Sequence, residues 1–98
     1  MTPVRFDLRA ERELESAVDA YDRAREGLGT RFVRSVEYAT TQLSALPLSG
    51  AAVTAELRAV PVRGFPYRLI YALRPALGVV VVAVAHTRRS PAGWQGRG

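Results

Sequence analysis

The chain has 98 residues, 48% hydrophobic and 23% charged with no cysteine, which fits a folded domain and excludes a disulfide framework or a thiolate metal site. Its net charge is +5, unevenly spread: residues 57–98 hold seven arginines and no Asp or Glu, while residues 1–56 hold seven arginines against nine carboxylates, so the halves carry about +7 and −2. A basic half built on strand-rich sequence points to a polyanionic or acidic partner.

All fourteen Lys-or-Arg positions are arginine, which forks onto phosphate or carboxylate and does not give up its proton, so His86 is the one basic side chain able to act as a neutral base. Met1-Thr2-Pro3-Val4-Arg5 lacks an apolar region for export, so the cytoplasm is the expected compartment. The longest apolar stretch, Leu77 to Ala85, is nine residues, less than half of what crosses a membrane as a helix.

Val4 to Phe6 reads as a short first strand, after which the Asp7 carboxylate is placed to cap the amide of Ala10. Leu14, Ala17, Val18 and Tyr21 recur at helical spacing while Glu11, Glu13, Glu15, Asp19 and Asp22 lie mainly off that stripe, so Ala10 to Arg25 is predicted to be an amphipathic helix. Gly27-Leu28-Gly29 allows a reversal, with Thr30 offering an N-cap hydroxyl for a second helix. That helix carries Phe32, Val36, Ala39, Leu43 and Leu46 on one face and is ended by Pro47.

Pro47 to Thr54 is small and breaker-rich and reads as a loop. Leu57 to Arg63, Tyr67 to Arg74 and Val79 to Ala85 are rich in Val, Leu, Ile and Tyr and are joined by short links, which predicts an antiparallel meander. Pro61 cannot donate to a ladder, so its strand is expected at an edge or irregular there. The fold class is then α+β: one domain over residues 1–98, ordered β-α-α-β-β-β, with the helical hairpin on the inner face of a small, mainly antiparallel sheet and part of the arginine set on the outer face.

The order of elements and three local signatures resemble the RelE/ParE superfamily of toxins from type II toxin-antitoxin modules, closer to its ParE-like branch. The signatures are Tyr21 with Gly27-Leu28-Gly29 and Phe32; Phe65-Pro66-Tyr67-Arg68-Leu69-Ile70-Tyr71, similar to the family's central strand; and His86-Thr87-Arg88-Arg89 with Pro91 and Trp94, similar to its H-x-R-R-x-P-x-x-W terminus. The resemblance implies growth inhibition, by binding DNA gyrase in ParE-like members or by ribosome-dependent mRNA cleavage in RelE-like ones. It also implies a cognate antitoxin, a toxin-antitoxin hetero-oligomer, and neither a cofactor nor a membrane. In RelE-like nucleases two arginines stabilise the reacting phosphate, and by position these fall on Arg68 and Arg88. The nuclease lysines of the preceding strand are replaced here by Ala59 and Pro61, and a C-terminal tyrosine by Trp94.

The residues themselves argue against metal-assisted hydrolysis, because past Glu56 the only side chain of the carboxylate or histidine type is His86. Metal-free cleavage would use His86 as base with Arg68 and Arg88 holding phosphorane charge. The plainer alternatives are a strand-end His86 bonded to a backbone carbonyl, an ion pair from Arg68 to a helix carboxylate, and Arg88 and Arg89 as a solvated pair. Arg63, Arg68, Arg88, Arg89 and Trp94 form the candidate binding set, Trp94 serving as an interface anchor or packing back on the domain. A third reading is a non-toxic nucleic-acid-binding module using the arginine-rich sheet. Gly96-Arg97-Gly98 is expected to be mobile.

Overall fold

The computed structural model describes residues 1–97. Strand β1 (Val4–Phe6) leads into helix α1 (Leu8–Ala24) and helix α2 (Leu28–Ala45), followed by β2 (Ala51–Ala52), β3 (Arg58–Val62), β4 (Tyr67–Arg74), β5 (Gly78–His86) and a 3-10 turn at Pro91–Gly93. The strands form one mixed sheet in the order β1-β5-β4-β3-β2. β3, β4 and β5 are the expected antiparallel meander, while β1 runs parallel to β5 with Val4 opposite Val79.

Helix α1 starts where its cap dictates: the Asp7 Oδ1 accepts from the Ala10 amide at 2.8 Å. The start of α2 departs from expectation. Thr30 is an exposed residue within the helix, and Gly27, in the left-handed region at φ 84°, takes the N-cap position. The capping oxygen comes instead from α1, whose Asp22 Oδ1 accepts from the Gly29 amide at 2.8 Å and so ties the two helices together at their turn. Phe32, Val36, Ala39 and Leu43 are buried as their spacing requires, but Leu46, the C-cap residue, is exposed because the helix has ended.

The segment read as a loop contains a strand of its own, so the sheet has five strands rather than four. Ala51 and Ala52 pair with Ala59 and Arg58, leaving the edge of β3 open beside Pro61, where a missing N–H costs no bond. The loop before β2 is pinned by Tyr71, a buried residue of β4. Its hydroxyl donates to the Pro47 carbonyl at 2.8 Å and accepts from the Gly50 amide at 3.0 Å. Gly50 has no room for a side chain, since a Cβ there would lie 2.6 Å from the Tyr71 oxygen and 2.8 Å from the Ala59 carbonyl. Tyr71→Phe is expected to cost about 1–3 kcal/mol of stability, because it orphans the buried Gly50 amide and the part-buried Pro47 carbonyl without opening a cavity; a urea titration with an unchanged midpoint would contradict this role.

The sheet is apolar on both faces. Val60, Val62, Leu69, Tyr71, Val79, Val81 and Val84 face the helices and pack on Ala10, Ala17, Phe32, Val36, Ala39 and Leu43. Leu57, Ala59, Ile70, Ala72, Val80, Val82, Ala83 and Ala85 form a second cluster on the other face, together with Trp94. The expected arginine surface is thus largely an apolar outer layer, capped by the segment after β5. The switch from Val81 and Val84 inward to Val82 and Ala83 outward is a β-bulge: Ile70 pairs with Ala83 and Tyr71 with Val81, leaving Val82 as an extra residue in β5.

Candidate functional site

One end of the β4–β5 ladder gathers most of the candidate residues. Tyr67 pairs with His86 and Arg68 with Ala85, and beyond them the Thr87 amide donates to the Pro66 carbonyl at 2.8 Å, starting a turn through Arg88 and Arg89. Ser90 then caps the 3-10 turn by accepting from the Ala92 amide at 3.3 Å, and residues 90–97 run back across the outer face as a strap. Trp94 lies beneath this strap with 3% of its surface exposed. The indole therefore packs back on the domain.

Arg68 reaches the outer face beside that indole, its guanidinium carbon 5.8 Å from the ring centroid. Among the described residues it has no carboxylate partner, so the helix ion pair considered for it is not formed. Its Nε and the Trp94 Nε1 are both buried donors with no acceptor. Arg88 is exposed, and Arg63 lies at the same end of the sheet but on the helix side, its guanidinium carbon 4.5 Å from the centre of the Tyr38 ring.

His86 packs edge-on against Tyr67 at 5.1 Å, and Tyr67 in turn meets Tyr21 and Phe32 at 6.1 and 5.1 Å. Burial, with Tyr67 alongside, pushes the Tyr21 hydroxyl pKa up. The His86 Nδ1 accepts from the Arg88 amide at 3.1 Å, rather than a ring N–H donating to a carbonyl. The single lone pair of a neutral imidazole is therefore engaged at Nδ1 in this arrangement. Arg68 and Arg88 stand at the same end of the sheet, and the base that a phosphate clamp would need is engaged with the Arg88 amide.

Glu13, read from the sequence only as one of the carboxylates off the apolar stripe, has a structural role here. Its Oε1 accepts from the Val84 amide at 3.0 Å and from Arg97 at 3.0 Å, and its Oε2 accepts from Arg89 at 2.9 Å. Arg97 also donates to the Val82 carbonyl at 3.1 Å. β1 stops opposite Val81, so the bulged stretch of β5 has no strand beside it there, and Glu13 and Arg97 stand in for that strand. Arg89 is thus half of an ion pair rather than one of a solvated pair, and Arg97 is tied down rather than mobile; Gly98 lies outside the described residues.

Burial works to raise the Glu13 pKa, but the hydrogen bonds from Arg97, the Val84 amide and Arg89, with the charge of Arg97, outweigh it and hold the carboxyl below its ordinary range. A signal for Glu13 did exist in the sequence. It sits three residues after Ala10 and four before Ala17, both buried, so it lies on the small-residue stripe that faces the sheet.

The model for the ParE toxin of type II toxin-antitoxin systems, parDE, matches residues 4–91. The chain belongs to the ParE toxin family. A solved structure described as the chromosomal ParDE TA system from P. aeruginosa superposes with a TM-score of 0.75 at 12% identity, over 88% of this chain and 96% of that one. At that identity the likeness concerns the fold, two helices on a five-stranded mixed sheet. Among curated proteins none matches. In this ParE-family chain the matched region ends at Pro91, so Trp94 and Arg97 of the strap fall beyond it.

Among the described residues of this ParE-family protein no three His, Cys, Asp or Glu side chains are grouped as a metal ion would require, and no helix is long and apolar enough to cross a membrane.

Proposed function

We propose that this protein is the growth-inhibiting toxin of a type II toxin-antitoxin module, acting in the cytoplasm by binding DNA gyrase and blocking it without chemistry of its own. The observation that carries the proposal is the ParE toxin match over residues 4–91. The site supports it: Arg68 lies beside Trp94 and Arg88 is exposed in the turn after β5, while the His86 lone pair is already taken. A cognate antitoxin, as the ParDE pairing implies, would hold the toxin in a hetero-oligomer, with acidic segments meeting the basic surface.

The decisive experiment is induced expression in a bacterial host, with DNA and protein synthesis followed separately by radiolabel incorporation. Early loss of DNA synthesis is expected, together with inhibition of gyrase supercoiling by pure protein at micromolar concentration. Early loss of translation with DNA synthesis intact would instead favour ribosome-dependent mRNA cleavage. The placement of Arg68 and Arg88 at one end of the sheet is what favours this second reading.

A further inference from the structure

β4 runs from Tyr67, opposite His86, to Arg74, opposite Gly78, so the β4–β5 turn lies at the end of the sheet away from the arginine turn that follows His86. The N-terminus and the end of α2 are tied to that same end. The Thr2 amide donates to the Ser44 carbonyl at 2.9 Å, the Ser44 hydroxyl donates to the Thr2 carbonyl at 2.7 Å, and the Pro3 carbonyl accepts from the Val79 amide at 2.9 Å. Among the described residues, five of the seven exposed large hydrophobic side chains gather there: Met1 at 93%, Leu46 at 61%, Leu48 at 63%, Leu73 at 40% and Leu77 at 41% exposure. Leu48 and Leu73 line one cleft, with Ala52 of the edge strand beside them. Residues 38–55, which supply the end of α2, the following loop and β2, form the longest run in the sequence without Asp, Glu or Arg. Glu56, Arg58 and Arg74 line the same cleft, and Arg58 is turned onto the Leu48 and Gly50 carbonyls at 3.4 and 2.8 Å.

We propose that this apolar end is the contact between two copies of the chain, paired about a two-fold axis. Charge selects the occupant. A chain of net charge +5 repels its copy wherever arginines face each other, so two copies approach at least cost through the end that residues 38–55 leave uncharged. A two-fold contact uses the same patch on both copies and needs no second, complementary surface. A specific dimer buries about 1,000 Å² in total, about 500 Å² from each copy. That is less than a tenth of the 5878 Å² surface of this chain, and the five side chains with the exposed Ala45, Ala51 and Ala52 supply an apolar centre for it. Because β2 has only two residues, side chains rather than strand pairing carry the contact, but Ala51 and Ala52 bring neither charge nor proline to hold a second sheet edge away. The inference is independent of whether the toxin acts on gyrase or on the ribosome.

The test is sedimentation velocity of the pure full chain from low micromolar to near-millimolar concentration. The mass is expected to rise toward twice the 10.7 kDa of one chain. Added salt should leave the dissociation constant unchanged or lower it, since it screens only repulsion. The L46E/L48E variant is expected to raise that constant about tenfold or more, by setting like charges across the axis. L77E, on a different element of the same end, should raise it as well. L8E alters a leucine of 60% exposure that follows β1 away from this end, and is expected to keep the parent value. All three variants change exposed side chains, so all should fold, which far-UV circular dichroism checks. Dissociation by salt, or equal weakening by L8E, would overturn the proposal. So would a parent that keeps the mass of one chain throughout, which would leave the patch to a different protein.

Discussion

Replacing Glu13 with alanine is expected to lower the free energy of unfolding by about 2–4 kcal/mol and to shift the emission of Trp94, the sole tryptophan, to longer wavelength. The change orphans the Val84 amide and leaves Arg97, whose side chain is only 13% exposed, without its counter-charge. Arg89 contributes less, being 39% exposed and screened by solvent. Because the Glu13 carboxyl is held below its ordinary value of 4.5, its contribution is complete above that pH and disappears as pH falls through the lower folded-state value. The parent should therefore lose stability on acidification more steeply than Glu13→Gln. Parallel acid limbs in the two proteins would show that the carboxylate is not a structural tie.

Trp94→Ala is expected to cost more, about 3–5 kcal/mol, since it removes the largest side chain of the buried outer-face cluster. The loss should be read by circular dichroism in denaturant, as the fluorescent probe is removed with the side chain. Combined with Glu13→Ala it should be less than additive, because both changes act by loosening the same strap. Strict additivity would mean that the strap and the Glu13 tie are energetically separate.

The helical hairpin and the meander were legible because their signals are periodic: Phe32, Val36, Ala39 and Leu43 step round a helix, and the runs from Tyr67 and Val79 are long and β-branched. What escaped was everything set by pairing rather than by period. Two alanines at Ala51–Ala52 become a strand only because β3 lies beside them. The bulge is invisible in a run of four valines, since inward and outward positions there have the same chemistry. Thr30 was the local candidate for a cap, but the oxygen came from Asp22, seven residues before the Gly29 amide that it caps.

For the candidate site, His86, Arg68, Arg88, Arg89 and Trp94 share one end of the sheet, whereas Arg63 is drawn to the helix side by Tyr38. Glu13 escaped because a carboxylate among carboxylates on α1 reads as a solvated face. Its spacing from Ala10 and Ala17 was the one sign that sets it apart from Glu11 and Glu15.

The contacts that close the molecule also set an order of assembly. The Glu13 carboxylate meets its three partners across 71, 76 and 84 residues of chain, and β1 waits for Val79 to Val81 before it has a neighbour. Helices α1 and α2 can form and pair early from local contacts, but the first strand and the strap join late, after long loops are closed. During synthesis α1 emerges with a carboxylate whose partners are not yet made, so a chain halted anywhere before Arg97 lacks part of the tie that holds its outer layer. For a chain of a toxin family, the outer layer is thus complete only once Arg97 has been made.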